Sequence, residues 1–452
     1  ASQYFEKAKQ FYFDVNSHNK KFLSDASTFF NTYANFCLST DKEKPVEYYL
    51  KSIELDSRNS EPIFNLISYY KTRNDHEKCI ELCTNYLNKY PDDYKMALEL
   101  TNFETTDYSL YIDTLIQVLE IHPHFHRILV RLIEICAEAG KLDKVEKRII
   151  NDKSPGMIFC EALYCMYCGN WNKALSLFRV VQNDNKWGVN AKIKIFRILI
   201  NPTRNFIWFT DEPLSNEMQL HEANEIIEEL SVVFKDEPFF VIEKKLMQAE
   251  IHLSNNTANS ISKAESIFFS IIEQSKLRQQ TQVESDILEI QLIASLLGYA
   301  KCMLKKDNIK QANIFIDKVL QFKPSHETNP FFEETYLMRA KIFQNEKNFD
   351  AAHHFAFFAL SKNMSSRRAW EMCAEISRQN SMYAEAANAY MHCWKLSGET
   401  DLDSAYDYAF CSMKADRPDD AIEMCRTMQN IDFNYKDLKN TILIPSYKKL
   451  KP

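Results

Sequence analysis

The run Arg368-Ala369-Trp370-Glu371 is followed by Tyr383-Ala384-Glu385-Ala386-Ala387-Asn388-Ala389-Tyr390. This order places a bulky Trp370 early in one helix, a small Ala386 where a second helix crosses it, and a large Tyr390 one turn later. The crossing needs a small residue because the two helices approach too closely there for a long side chain. Such a helical hairpin cannot bury its apolar face alone, so the pattern predicts a unit that stacks on neighbours.

The same pattern recurs along the chain. Its anchors are about 29–35 residues apart in most cases, close to the tetratricopeptide (TPR) period of about 34. Clear small-residue positions are Ala174, Ala264, Ala312, Ala352 and Ala421, and poorer ones are Val46, Cys79, Tyr111 and Val145. Pro91, Pro123 and Pro324 follow second helices, which proline cannot continue. The sequence therefore predicts an all-α fold, a right-handed α-solenoid of about ten TPR helical hairpin repeats.

The spacing also predicts a division of the chain. We expect an N-terminal TPR array of degenerate repeats over 1–200, an irregular insertion loop over 201–220 and a C-terminal TPR array over 221–452. The loop contains Phe206-Ile207-Trp208-Phe209, which is unusually apolar for a surface segment. Either this loop folds back into a groove of its own solenoid, or Trp208 anchors a partner protein.

Composition excludes several classes of function. Only 6 glycines occur in 452 residues, too few for glycine-rich phosphate loops or dinucleotide fingerprints. The net charge is −7 and no basic stripe is present, which argues against nucleic-acid binding. No apolar run reaches the roughly 18 residues of a membrane span, so we expect no direct membrane insertion. Twelve cysteines without regular pairing indicate a reducing compartment.

Few residues are candidates for chemistry. Cys165 and Cys168 lack a second pair for zinc and a strand–helix context for redox work, so we interpret them as helix packing. The histidines in the turn around Pro123 are interpreted as exposed; they are His122, His124 and His126. No serine, cysteine or threonine lies in a nucleophile motif. The sequence predicts no enzyme, no cofactor and no metal site.

Partner-binding residues are expected on first helices, which line the concave face of a TPR array. The predicted positions are Arg368, Glu371, Glu375 and Arg378 in one repeat, and Tyr406 and Phe410 in the next. They do not supply the lysines and asparagines with which co-chaperone TPR domains clamp a C-terminal carboxylate. The alternative is that these faces are solvated or packed within the protein itself.

Several tracts outside the general repeat pattern are similar to one family. They include Cys136-Ala137-Glu138-Ala139-Gly140-Lys141-Leu142, Trp187-Gly188-Val189-Asn190-Ala191, Ala405-Tyr406-Asp407-Tyr408-Ala409-Phe410 and Asp420-Ala421-Ile422-Glu423-Met424-Cys425. With the Trp370 and Ala386 repeat they resemble the tetratricopeptide repeat protein 21 family, a subunit of intraflagellar transport complex A. The resemblance covers about 126–452, whereas 27–125 match only as general repeats. Members of the family are much longer than this chain.

The resemblance implies a non-catalytic TPR scaffold that acts in retrograde ciliary transport and in ciliary entry of membrane cargo. It implies other complex A subunits, WD-repeat and TPR proteins, as partners, together with cargo adaptors and complex B trains. It places the protein in the cilium or flagellum and basal body, with a cytoplasmic pool. The alternative is a TPR scaffold or adaptor of another cytoplasmic complex, such as a cell-cycle or chaperone assembly.

Overall fold

A computed structural model describes most of the chain. The described residues are 20–38, 44–73, 75–103, 108–149, 152–200, 216–235, 237–255, 257–279, 286–325, 328–433 and 435–450. They form α-helices joined by short turns, and no strand occurs among them. This confirms the prediction of an all-α repeat fold. The predicted loop falls largely on 201–215, which lie outside the described residues, so the predicted domain boundaries stay predictions.

The chain divides into two compact units, residues 1–135 and 136–452. Unit 1 contains six helices and most of a seventh. They are α1 (Lys20–Cys37), α2 (Lys44–Leu55), α3 (Glu61–Lys71), α4 (His76–Leu87), α5 (Tyr94–Leu100), α6 (Tyr108–Ile121) and α7 (His126–Glu138). Its first hairpin has an aromatic core, in which the rings of Tyr33 and Tyr48 lie 4.7 Å apart beside the fully buried Phe30 and Tyr49.

Unit 2 continues the alternation of first and second helices. Its helices are α8 (Asp143–Glu146), α9 (Pro155–Tyr167), α10 (Trp171–Val181), α11 (Gly188–Leu199), α12 (Asn216–Val233), α13 (Pro238–Asn255), α14 (Ala258–Gln279), α15 (Asp286–Lys305), α16 (Ile309–Val319), α17 (Asn329–Asn345), α18 (Phe349–Lys362), α19 (Arg367–Gln379), α20 (Tyr383–Leu396), α21 (Leu402–Lys414), α22 (Pro418–Ile431) and α23 (Ile444–Leu450). A π-helical turn, Lys439–Leu443, precedes α23.

The predicted small-residue positions lie on second helices and at the centre of the packing. Those with no exposed surface are Cys79, Tyr111, Val145, Ala174, Ala264, Ala312, Ala352, Ala386 and Ala421, whereas Val46 is half-buried. The expected large residues are buried too: Phe178, Phe268, Ile316 and Tyr390. One hairpin is reduced, because the second helix that carries Val145 has only 4 residues. The repeat pattern read from the sequence is therefore the pattern of the core.

A recurring turn joins the first helix of a repeat to the second. It pairs a residue of positive φ with an asparagine, in Gly169-Asn170 (φ 77°), Asp307-Asn308 (φ 56°) and Lys347-Asn348 (φ 59°). The positive φ lets the asparagine N–H return to the end of the first helix, as in Asn348 N to Phe343 O at 2.9 Å. The Asn348 side chain then accepts from Ala351 N at 3.3 Å and caps the second helix. One dipeptide thus ends one helix and starts the next.

The repeats between 216 and 305 are stretched because their helices are long. Helices α12 to α15 have 18, 18, 22 and 20 residues. Over 287–305, α15 is long and apolar enough to cross a membrane by length and composition, with a mean hydropathy of 1.5. A core helix has the same composition, and Ile293 and Ala300 of α15 are fully buried in the repeat core. The sequence predicted no apolar run of this length, because Glu289 and Gln291 interrupt the apolar sequence of α15.

Unit 2 also makes a contact between distant parts of its own sequence. Met364 N donates to Glu138 O at 3.0 Å, and Ser365 N donates to Ala137 O at 3.1 Å. Gly140, with φ 66°, lies so close that an added Cβ would be 3.0 Å from the Met364 Cβ. These bonds fix the end of α7 against the turn between α18 and α19.

The close approach of α14 and α15 gives a test of the packing. Gly298 faces the Phe268 ring, and a methyl group added at 298 would overlap that ring. We therefore expect Gly298→Ala to destabilise unit 2 by about 1–3 kcal/mol through overpacking, despite the better helix propensity of alanine. Thermal and urea unfolding measure the change.

A second substitution checks the cause. Phe268→Leu shortens the opposing side chain. In this background Gly298→Ala should lower the free energy of unfolding clearly less than it does in the wild type. Equal costs in the two backgrounds would show that the Phe268 contact does not limit the approach of the helices.

Candidate functional site

Charged side chains on the first helices of unit 2 pair from one repeat to the next. The pairs are Lys301–Glu334 at 2.8 Å, Lys341–Glu375 at 3.9 Å and Arg378–Asp407 at 3.2 Å. They link α15 to α17, α17 to α19, and α19 to α21. We call these six residues the charge ladder. The partners are about one repeat apart in sequence, so the stacking of repeats sets their register.

A second set of ionic contacts lies at the start of these helices. Arg367 donates to Glu371 at 3.1 Å within α19 and also to Asp401 of the next repeat. Asp401 in turn accepts from the backbone N–H groups of Asp403 and Ser404 and caps α21. The Arg367 contact therefore ties one first helix to the cap of the next.

The surroundings of two ladder carboxylates, Asp407 and Glu334, shift their pKa values in opposite directions. Burial raises the pKa of Asp407 against the opposing charge of Arg378. Burial also acts on Glu334, but the ammonium of Lys301 and the guanidinium of Arg368 together hold the pKa of Glu334 below its usual value. The neighbouring cations thus outweigh burial at Glu334, whereas burial outweighs the neighbouring cation at Asp407.

Glu250 on α13 is the exception among these acids. Its carboxylate accepts no hydrogen bond and forms no ion pair within the described residues. Burial raises the pKa of Glu250 to about 7, although Lys301 and Arg197 favour its charged form. Glu250 is therefore an acid without a fixed partner next to the ladder.

The predicted partner-binding charges on α19 meet different neighbours. Glu375 and Arg378 belong to the charge ladder, and Glu371 is held by Arg367. Arg368 is exposed and faces Glu333 and Glu334 electrostatically. Three of these four predicted residues, Glu371, Glu375 and Arg378, are thus paired within the protein itself. Whether any of the four binds a partner stays a prediction.

The predicted aromatic anchors on α21 are half-buried. Tyr406 and Phe410 pack against the core that contains Trp394, Ala409 and Met413. Lysine side chains cover both rings: Lys436 Nζ lies 4.5 Å from the centroid of Tyr406, and Lys414 Nζ lies 5.6 Å from that of Phe410. The third predicted aromatic residue, Trp208, lies outside the described residues.

The cysteines interpreted as packing lie at the end of α9. Cys165 is buried, and burial raises its pKa to about 11, so the thiol keeps its proton at neutral pH. Cys168 caps α9 and is half-buried. In the turn around Pro123, the His122 ring stacks on Phe125 at 4.5 Å.

Two family profiles match the chain, and together they cover well over half of it. One is described as "Tetratricopeptide repeat protein 21 C-terminal ARM domain" and matches 222–445. The other is described as "TT21 fifth ARM repeats domain" and matches 95–200. The chain belongs to the tetratricopeptide repeat protein 21 family. The resemblance seen in the sequence is confirmed, and the match reaches further towards the N-terminus than expected.

Curated relatives in this family are similar over most of the chain. Tetratricopeptide repeat protein 21B of Homo sapiens is 25% identical over 91% of this chain and 32% of its own length. The Xenopus laevis protein 21B is 23% identical with the same coverage. The chain spans about a third of the length of these relatives. A solved tetratricopeptide repeat protein from Parabacteroides merdae is 14% identical over 67% of this chain and 98% of its own, with a TM-score of 0.40.

Sequence reasoning missed Lys301, Glu334 and Glu250. Lys301 and Glu250 lie in the stretched region, where the expected period of about 34 residues gives no register for first helices. Glu334 lies on α17, the next first helix after that region. Exposed aromatic residues were missed as well. Phe357 and Phe358 are adjacent on α18, and both are exposed because the buried face of this helix is formed by Ala352, Ala356, Ala359 and Leu360.

Glu250 generates a prediction about pH. The folded chain keeps the Glu250 proton until about pH 7, whereas the unfolded chain releases it near the ordinary value of 4.5. The free energy of unfolding should therefore fall as the pH rises between these values, because the unfolded state loses its proton first. Glu250→Gln removes this loss. The free energy of unfolding of the variant should equal that of the wild type near pH 4.5 and exceed it by up to about 3 kcal/mol at pH 8.

Urea unfolding at pH 4.5, 6 and 8 measures the difference between variant and wild type. Glu237→Gln is the matched control, since it removes the same charge at an exposed position between α12 and α13. A stability difference for Glu250→Gln that is the same at all three values of pH would contradict the assignment.

Proposed function

We propose that this chain is a non-catalytic scaffold of intraflagellar transport complex A, acting in retrograde ciliary transport and in ciliary entry of membrane cargo. Membership of the tetratricopeptide repeat protein 21 family carries the proposal. Each unit is built of paired helices, without a strand or a glycine-rich loop in the described part, and the surfaces of such repeats are suited to protein partners. The proposed location is the cilium or flagellum and its basal body, with a cytoplasmic pool.

The proposed partners are other complex A subunits of the WD-repeat and TPR types, and through them cargo adaptors and complex B trains. The formal net charge of −7 favours proteins over nucleic acid. Copurification from ciliated cells tests the proposal. We expect WD-repeat propeller subunits to be recovered with the tagged chain and the tag to be located in cilia. Recovery of a cell-cycle or chaperone assembly instead would support the alternative scaffold role.

Exposed aromatic residues indicate where a partner could bind within 333–452. Phe357 on α18 is 60% exposed, and Phe433, after α22, is 77% exposed. Phe357 lies beside a cavity of about 370 Å³ that is also lined by Phe349, His353 and Met382. Aromatic residues that fill such pockets often dominate binding energy. The charge ladder on the first helices is internally paired, so these second-helix and turn residues are the better candidates.

A pair of double variants separates binding from folding. Phe357→Ala with Phe433→Ala should leave the melting temperature within a few degrees, because both rings are exposed, and should reduce recovery of partners. Tyr406→Ala with Phe410→Ala should lower the melting temperature, because these rings pack on the repeat core. Quantitative mass spectrometry of copurified proteins and calorimetry of the chain give both readouts.

The outcomes are distinct. Full partner recovery with the exposed pair changed would exclude Phe357 and Phe433 as anchors. Normal melting with lost partners for the Tyr406 and Phe410 pair would favour those inward residues instead.

A further inference from the structure

A polar cavity lies between three successive first helices of unit 1. It measures about 760 Å³, within the roughly 300–1,000 Å³ that is typical of ligand sites. Residues from the start of α3, from α5 with its following turn, and from the start of α7 line it. They are Asn59, Ser60, Glu61, Phe64, Lys95, Leu98, Glu99, Thr101, Asn102 and Arg127. Three different repeats thus contribute to one cavity.

The cavity wall carries two cations, Lys95 and Arg127, and two acids, Glu61 and Glu99, but they are not paired with one another. Glu99 is already engaged, since Asn102 Nδ2 donates to it at 3.2 Å and Lys71 Nζ lies 4.0 Å from it. Lys95 and Arg127 are exposed, and neither side chain has a hydrogen bond or ion pair among the described residues. Glu61 is the remaining acid. Lys95, Arg127 and Glu61 therefore line the cavity without a side-chain hydrogen bond or ion pair among the described residues.

A third cation lies next to the cavity. Arg131 follows Arg127 by one turn of α7 and is only 8% exposed. Its Nη2 donates to the carbonyl of Phe103, the residue after Asn102, at 3.4 Å. Its Nη1 lies 4.0 Å from Glu134 Oε2, and its Nε donates no hydrogen bond within the described residues. An unused donor on a nearly buried guanidinium favours a further acceptor beside the cavity, because unmet donors are costly.

We propose that this cavity binds a carboxylate of an extended peptide segment. Lys95 and Arg127 would pair with the carboxylate, and the Asn59 and Asn102 amides, on two different repeats, would bond the peptide backbone. A carboxylate fits better than a phosphate because Glu61 and Glu99 add negative charge to the wall, which penalises a dianion more than a monoanion. The carboxylate could belong to an Asp or Glu side chain or to a chain terminus. Such binding is independent of the assembly to which the protein belongs.

Fluorescence anisotropy with the full chain tests the proposal at about 0.15 M salt, where long-range attraction is screened. The probes are fluorescein-labelled peptides of three Gly-Glu repeats, with a free or an amidated C-terminus, and the same peptide with Lys for Glu. We expect an acidic peptide to bind and the lysine peptide not to bind. Weaker binding after amidation would assign the site to a terminal carboxylate, and unchanged binding would assign it to side chains.

The variant Lys95→Gln with Arg127→Gln should weaken binding at least about tenfold, because two charge-assisted bonds are lost. The variant Glu61→Gln should tighten it. The control Lys51→Gln with Lys89→Gln removes the same charge from unit 1 outside the cavity and should change binding less than about twofold. Circular dichroism checks that the variants fold. Equal loss in the control, equal binding of the lysine peptide, or no binding at about 1 mM peptide would overturn the proposal.

Discussion

The close crossing of two helices at a small residue is the constraint on which the structure depends. Ala386 is fully buried in a core cluster to which the neighbouring repeats contribute Ala352 and Cys411. Trp370, the bulky residue of the same repeat, is half-buried. Its ring stacks on His392 at 4.1 Å, and its Nε1 donates a hydrogen bond to Met364 O at 2.8 Å. No repeat is complete alone, so stability and surface both arise from stacking.

Stacking also explains the electrostatics. Placing first helices side by side at a constant offset brings charged residues of neighbouring repeats into register, as Arg378 and Asp407 illustrate. Exposed pairs of this kind contribute little individually, typically about 0–1 kcal/mol, so we regard the charge ladder mainly as a feature that determines which charges remain available to partners. In unit 1 the same architecture leaves a polar cavity lined by Lys95 and Arg127, which have no ionic partner among the described residues.

The sequence predicted the fold from local signals. The anchors Ala352, Ala386 and Ala421 are spaced by the repeat itself, so periodicity alone located that part of the core. Contacts between repeats could not be predicted from these local signals. The pairing of Lys301 with Glu334 depends on the lengths of α15 and α16, and the contact of Met364 with Glu138 joins residues far apart in sequence. Tyr406 and Phe410 were placed on the correct helix, but no periodic pattern says whether such a ring lies in the groove or rests on the core.

Hydrogen exchange followed by mass spectrometry on Ala386→Leu tests most directly whether neighbouring repeats carry the stability. Overpacking at this crossing should cost about 1–3 kcal/mol and loosen the repeats that touch it. We predict faster exchange in α19 to α22, residues 367–431, with unchanged exchange in α3 and α4 of unit 1. Faster exchange throughout the chain would contradict nearest-neighbour coupling, and unchanged exchange everywhere would contradict the assignment of Ala386 as the crossing residue.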